Sequence, residues 1–170
     1  RRVIMQVALS KSKSSQALQS LTTTSPKEIE QTVLSSMASI LSFEEKLNRD
    51  FSVRAYELTE EPTDEQRAKA DKLMAFAMTP MPIDTMEDRL LQCMMVMVKP
   101  SKESQQDIAM RIRLIAQGLS DLPADIFLFA VNHISKTKTF FPSLAEFREA
   151  GSWRYQKRLM LQEMLQKRTK

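Results

Sequence analysis

Histidine and cysteine carry much of the nucleophilic, proton-transfer and metal-binding chemistry of proteins, and this 170-residue chain has one of each. Cys93 lies in the apolar run Leu90-Leu91-Gln92-Cys93-Met94-Met95, and His133 follows an apolar run of its own. Both are expected to be structural, the thiol buried and the imidazole partly so. Forty residues separate them, so no zinc site of ordinary spacing can form, and a Cys–His pair would arise only by tertiary juxtaposition. The carboxylate pairs Glu44-Glu45 and Glu60-Glu61 are adjacent in sequence. Neighbours on a helix point apart, so these read as solvated surface and not as acid/base pairs. No G-x-x-x-x-G-K-[ST] or G-x-G-x-x-G occurs, which removes the recognisable phosphate-cradling loops. The expectation is a non-enzyme with no catalytic residue, no metal and no cofactor.

Binding chemistry is better represented, and it centres on Thr139-Phe140-Phe141-Pro142-Ser143-Leu144-Ala145-Glu146-Phe147. Ser143 followed by Glu146 is a capping box, which starts a helix. Pro142 disfavours α geometry at Phe141 and so ends the helix before it. Phe141 is placed to cover Phe147 in the first turn, much as a hydrophobic staple does. Trp153 and Tyr155 follow, then the cations Arg154, Lys157, Arg158, Lys167, Arg168 and Lys170. Phe140, Phe141, Trp153 and Tyr155 are the expected partner-binding patch, and the six cations the expected face for nucleic-acid phosphates or an acidic partner.

The elements that must position these groups read as helices. Two Gly in 170 residues is far below the usual ~7% and argues against hairpins and tight strand turns. Ser25-Pro26-Lys27-Glu28 opens a helix with Ile29, Val33, Met37, Ile40, Leu41 and Leu47 at helical spacing, running to about Asn48. Phe51, Val53 and Tyr56 extend it or pack as a connector. Thr63 and Gln66 form another capping box, with a helix to about Met78. Asp84–Glu87 opens a third helix whose second half, Leu90–Val98, is apolar on every side. That predicts a central helix, with a short buried strand over 94–98 as the competing reading. Ser101 is placed to cap the next helix, which carries the stripe Ile108, Ile112, Ile115 and Leu119, with Gly118 near its end as a C-terminal stop signal. Pro123 opens a helix through Ile134, and a long helix runs from Leu144 towards Arg168, with Gly151 as a possible bend. A helix-turn-helix over 123–150 is conceivable, although its connector exceeds the usual three or four residues.

The predicted fold class is therefore all-α: a single-domain bundle of five to seven helices over 26–170, preceded by a flexible basic arm over 1–25 and closed by a long basic helix. Residues 1–27 hold five Lys/Arg and no acid, residues 28–88 fourteen acids against six bases, and residues 89–170 fourteen bases against seven acids. Such asymmetry can steer a polyanion towards one face, or it can be an unevenly charged solvated surface. Arg1-Arg2 before Val3–Leu9 mimics a signal peptide, but the apolar part is too short and lacks a cleavage pattern. No run approaches the ~18 apolar residues of a membrane span. A cytoplasmic chain with no membrane partner is expected. Twelve Met fit helix-core filling or an adaptable binding surface.

The corner Phe140, Phe141, Pro142, Ser143 and Phe147, after a helix bearing Val131 and Lys136–Lys138, resembles phage replication proteins of the helicase-loader type. It is similar to the middle region of lambda replication protein P. The likeness spans about thirty residues and implies a non-enzymatic adaptor that grips a replicative helicase as loader or inhibitor, with single-stranded DNA nearby. Two other readings stand beside it. One is a DNA-binding module, regulatory or like a terminase small subunit, using the basic arm and last helix. The other is a bundle that forms a homo-oligomer through the Met-rich helix at 85–98; its motive disappears if residues 90–98 are buried within one chain.

Overall fold

The computed structural model describes residues 26–98 and 103–167, with side chains from residue 32 onward. The expected arm over 1–25, the Ser101 cap, and Arg168 and Lys170 lie outside these residues. Six helices and one hairpin follow in order: α1 Pro26–Ile40, β1 Phe43–Leu47, β2 Val53–Leu58, α2 Asp64–Ala77, α3 Ile83–Met95, α4 Gln105–Gly118, α5 Ala124–Thr137 and α6 Leu144–Gln166. The mostly helical class is as expected.

The hairpin is not. Instead of continuing to Asn48, the first helix ends at Ile40, and Phe43–Leu47 pairs antiparallel with Val53–Leu58. The turn has a local chemical cause. Asp50 Oδ1 accepts from the Ser52 amide (3.1 Å) and hydroxyl (2.6 Å), and the Phe51 amide donates to the Asn48 carbonyl at 3.1 Å. Asn and Asp are residues that build such turns without glycine. The Ser52 bonds also hold the Asp50 carboxyl below its usual pKa. Tyr56 is the buried side chain of β2 and meets Phe43 edge-on at 5.6 Å.

Capping decides several helix starts. Thr63 and Gln66 form the expected box on α2, and Ser143 and Glu146 the expected box on α6. The α4 box uses Ser104 and Asp107. Both helices α3 and α5 begin behind a proline, Pro82 and Pro123, with no side-chain cap. Gly118 is the last residue of α4, yet no glycine has positive φ, so it does not serve as a left-handed stop. Its role is space: a Cβ there would lie 2.5 Å from Leu144 Cδ2.

Two buried clusters form. The first joins α3, α4, α5 and the start of α6 through Leu90, Met94, Ile112, Ile115, Leu119, Phe127 and Phe147. The second joins α1, the hairpin, α2 and the end of α6 through Met37, Tyr56, Met74, Leu161 and Met164. Helix α6 runs unbroken through Gly151 and contributes to both, so it is the spine of the fold. No described helix is long and apolar enough to cross a membrane.

The apolar end of α3 is not central. Leu90, Cys93, Met94 and Met97 are buried, but Leu91, Met95, Val96 and Val98 are exposed. Among the described residues beyond α3 there is no strand; Val98 makes an isolated parallel bridge to Phe140.

Candidate interaction surface

Helices α5 and α6 form an antiparallel hairpin whose contacts run down both helices in register. At the corner, Lys138 Nζ reaches Glu146 Oε1 at 2.8 Å. Further on, Gly151 faces Ile126 and Ala130, where a Cβ would lie 3.0 Å from Ile126 Cγ2. Then comes Arg154 over Phe129, and last Arg158 on Asp125. This succession is antiparallel, unlike the steep crossing of a helix-turn-helix. The corner itself is built as the sequence predicts. Ser143 N–H donates to Glu146 Oε2 at 2.9 Å, and the Glu146 amide donates back to Ser143 Oγ at 3.4 Å. Lys138, the Ser143 amide and the Ser143 hydroxyl, which donates to Glu146 Oε2 at 3.1 Å, together lower the Glu146 carboxyl to about 2. Phe141 turns inward onto Phe147, with rings 5.8 Å apart at 62°.

The four aromatics expected to form one patch lie in different surroundings. Phe140 is exposed beside Val98, Phe141 is half-buried on Phe147, and Tyr155 packs half-buried against the first cluster. Trp153 is 48% exposed on the outer side of α6. Helical spacing turns Trp153 and Tyr155 about 200° apart, which is why the two cannot share a face.

Two of the expected phosphate-facing cations point inward, and that expectation is corrected. Arg158 is 1% exposed. Its Nη1 donates to Asp125 Oδ1 at 2.7 Å and to the Ala77 carbonyl, while Nη2 closes a bidentate pair on Asp125 Oδ2. The guanidinium fork suits this task, since it satisfies a carboxylate and a helix-end carbonyl together. Arg154 is also buried. Its Cζ lies 4.0 Å from the Phe129 ring centroid and 4.4 Å from that of Trp153, a cation held between two π faces. Lys157 is half-buried with Nζ 5.3 Å from the Trp153 ring, and Lys167 is exposed beside Glu163 at 2.8 Å.

Sequence reasoning missed Phe129 and misplaced His133. The imidazole is exposed, not partly buried, and stacks on Phe129 with centroids 5.8 Å apart. A continuous stack, His133–Phe129–Arg154–Trp153, therefore crosses from α5 to α6, with Lys157 at its edge. The signal that could have found it is the pair Phe129 and His133, four residues apart and off the core stripe of α5. Cys93 is buried as expected, and burial raises its thiol pKa. Among the described residues no three His, Cys, Asp or Glu side chains gather as a metal ion would need. No family model, curated protein or solved structure matches the chain.

Proposed function

We propose that this chain is a non-enzymatic adaptor of phage or prophage DNA replication, acting in the cytoplasm, which grips a replicative helicase through the outer edge of the α5–α6 hairpin. The observation that carries the reading is Trp153: a large ring held outward on a braced helix, backed by Arg154 and Phe129 and edged by Lys157. Tryptophan and arginine are the residue types that most often dominate protein interfaces, and a ring fixed in advance loses little entropy on binding. The corner supports a stiff mount, since its cap, its Lys138–Glu146 pair and its Phe141–Phe147 contact all act on the same turn.

A purely DNA-binding role draws less support from α6. Arg154 and Arg158 are occupied within the fold, which leaves Arg148, paired with Asp121 at 2.7 Å, and Lys157 as its described basic residues near solvent, with Lys167 just past its end.

The test is a pull-down from bacterial lysate with nuclease added, at low and moderate salt. The expected result is retention of a replicative helicase in both, and loss of most of it with Trp153→Ala. Interface tryptophans of this kind cost ≥ ~2 kcal/mol on truncation, about thirtyfold in affinity. Circular dichroism of the variant must match the parent. Recovery of DNA alone, falling steeply with salt, would overturn the adaptor reading in favour of phosphate binding.

A further inference from the structure

The outer face of α3 and α4 has no part in either buried cluster and is independent of the Trp153 edge. The two helices, consecutive in the chain, form an antiparallel pair: Arg113 Nε in the second half of α4 approaches Glu87 Oε1 near the start of α3 at 3.4 Å. On α3 the face carries Asp84, Asp88, Leu91 and Met95; on α4 it carries Gln106, Ala109, Met110, Arg113, Leu114 and Gln117. All ten are exposed, Met95 at 68% and Met110 at 60%. Leu91 and Met95 are one turn apart, as are Met110 and Leu114, so each helix turns an apolar pair to solvent opposite its core stripe. One cation, Arg113, is the only charge among the six α4 residues, a depletion typical of the centre of an interface.

We infer that this face joins two copies of the chain about a two-fold axis running along the helices, with α3 of one copy lying on α4 of the other. The occupant follows from the charge pattern. The Glu87–Arg113 contact fixes the relative height of the two helices. At that height Leu91 of one copy meets Met110 of the other, and Asp84 and Asp88 flank the exposed guanidinium of Arg113. The same match recurs on the far side of the axis, as an isologous interface requires. An unrelated partner would have to supply both the apolar pair and the opposite charges; a second copy carries them already. Burying Leu91, Met95, Met110 and Leu114 from both copies removes eight large apolar side chains from water, the main driving force for association.

The test is sedimentation of the full chain at micromolar and near-millimolar concentration. A concentration-dependent dimer is expected, and Leu91→Glu or Met110→Glu each weakens it about tenfold or more, because a carboxylate would be buried without a partner. Arrangement is checked separately with Leu91→Cys and Met110→Cys chains. Mixed, they should cross-link on mild oxidation; each alone should not. A monomer at every concentration overturns the inference and leaves the face to a different protein. So does a dimer unmoved by both glutamates, or one whose mixed cysteine chains fail to cross-link. The helicase reading survives any of these results, since Trp153 lies outside this face.

Discussion

Phe51 is the only non-glycine residue with positive φ among those described, at 62°, and its ring is 82% exposed. An aromatic side chain in the left-handed region is strained by about 1–2 kcal/mol, and this ring recovers little by packing. Phe51→Gly should therefore raise stability by about 0.5–1 kcal/mol after the entropy cost of glycine, read as a higher urea midpoint with unchanged slope. Cys93 makes the opposite point. Its burial was legible from the apolar run around it, and a raised thiol pKa follows from the loss of solvent. It should react with a thiol reagent far more slowly in the native chain than in denaturant; equal rates would show that the first cluster is open. The inward turn of Arg154 and Arg158 was not legible. A cation's fate depends on which carboxylate or ring the fold brings opposite, and Asp125 and Phe129 come from another helix.

At the scale of elements, local chemistry was the best guide. The Thr63 and Ser143 boxes stand where the sequence places them, because both partners lie within one turn. The box at α6 carries a pH dependence of definite sign. Glu146 titrates at about 2 when folded, against 4.5 ordinarily, so its stabilisation is complete above 4.5 and is lost as pH falls through about 2. Glu146→Gln should lower the melting temperature at neutral pH and reduce its fall between those values; parallel pH profiles would refute the linkage. Gly151 shows the limit of local reading. It suggests a bend, yet α6 continues, and the missing Cβ lets α5 approach. Gly151→Val should destabilise by about 1–3 kcal/mol through overpacking against Ile126, measured by chemical denaturation. The hairpin was lost to the opposite error. The apolar residues of 29–47 suit a helix by spacing, but Asn48–Ser52 is turn chemistry, and β1 is held by pairing with β2, which itself packs on α6.

At the scale of the molecule, α6 ties the two buried clusters together, and Arg158 binds the junction by joining α6 to Asp125 of α5 and to the end of α2 at Ala77. Breaking a buried ion pair by removing one member is strongly destabilising, at a cost of about 3–5 kcal/mol. Asp125→Ala should show that loss in denaturant unfolding and should loosen both clusters together, visible as faster amide exchange in α2 as well as α5. Protection lost in α5 alone would mean that the clusters unfold independently.

Helical class, two of the three capping boxes among the described residues, the core stripes and the burial of Cys93 were determined by the sequence itself. Each depends on residues within a turn or two, where periodicity and side-chain-to-backbone bonds act directly. The hairpin, the inward arginines, the His133–Phe129–Arg154–Trp153 stack and the bare outer face of α3 and α4 were decided only by tertiary structure. Each depends on what a distant segment places opposite, and one-dimensional spacing carries no record of that.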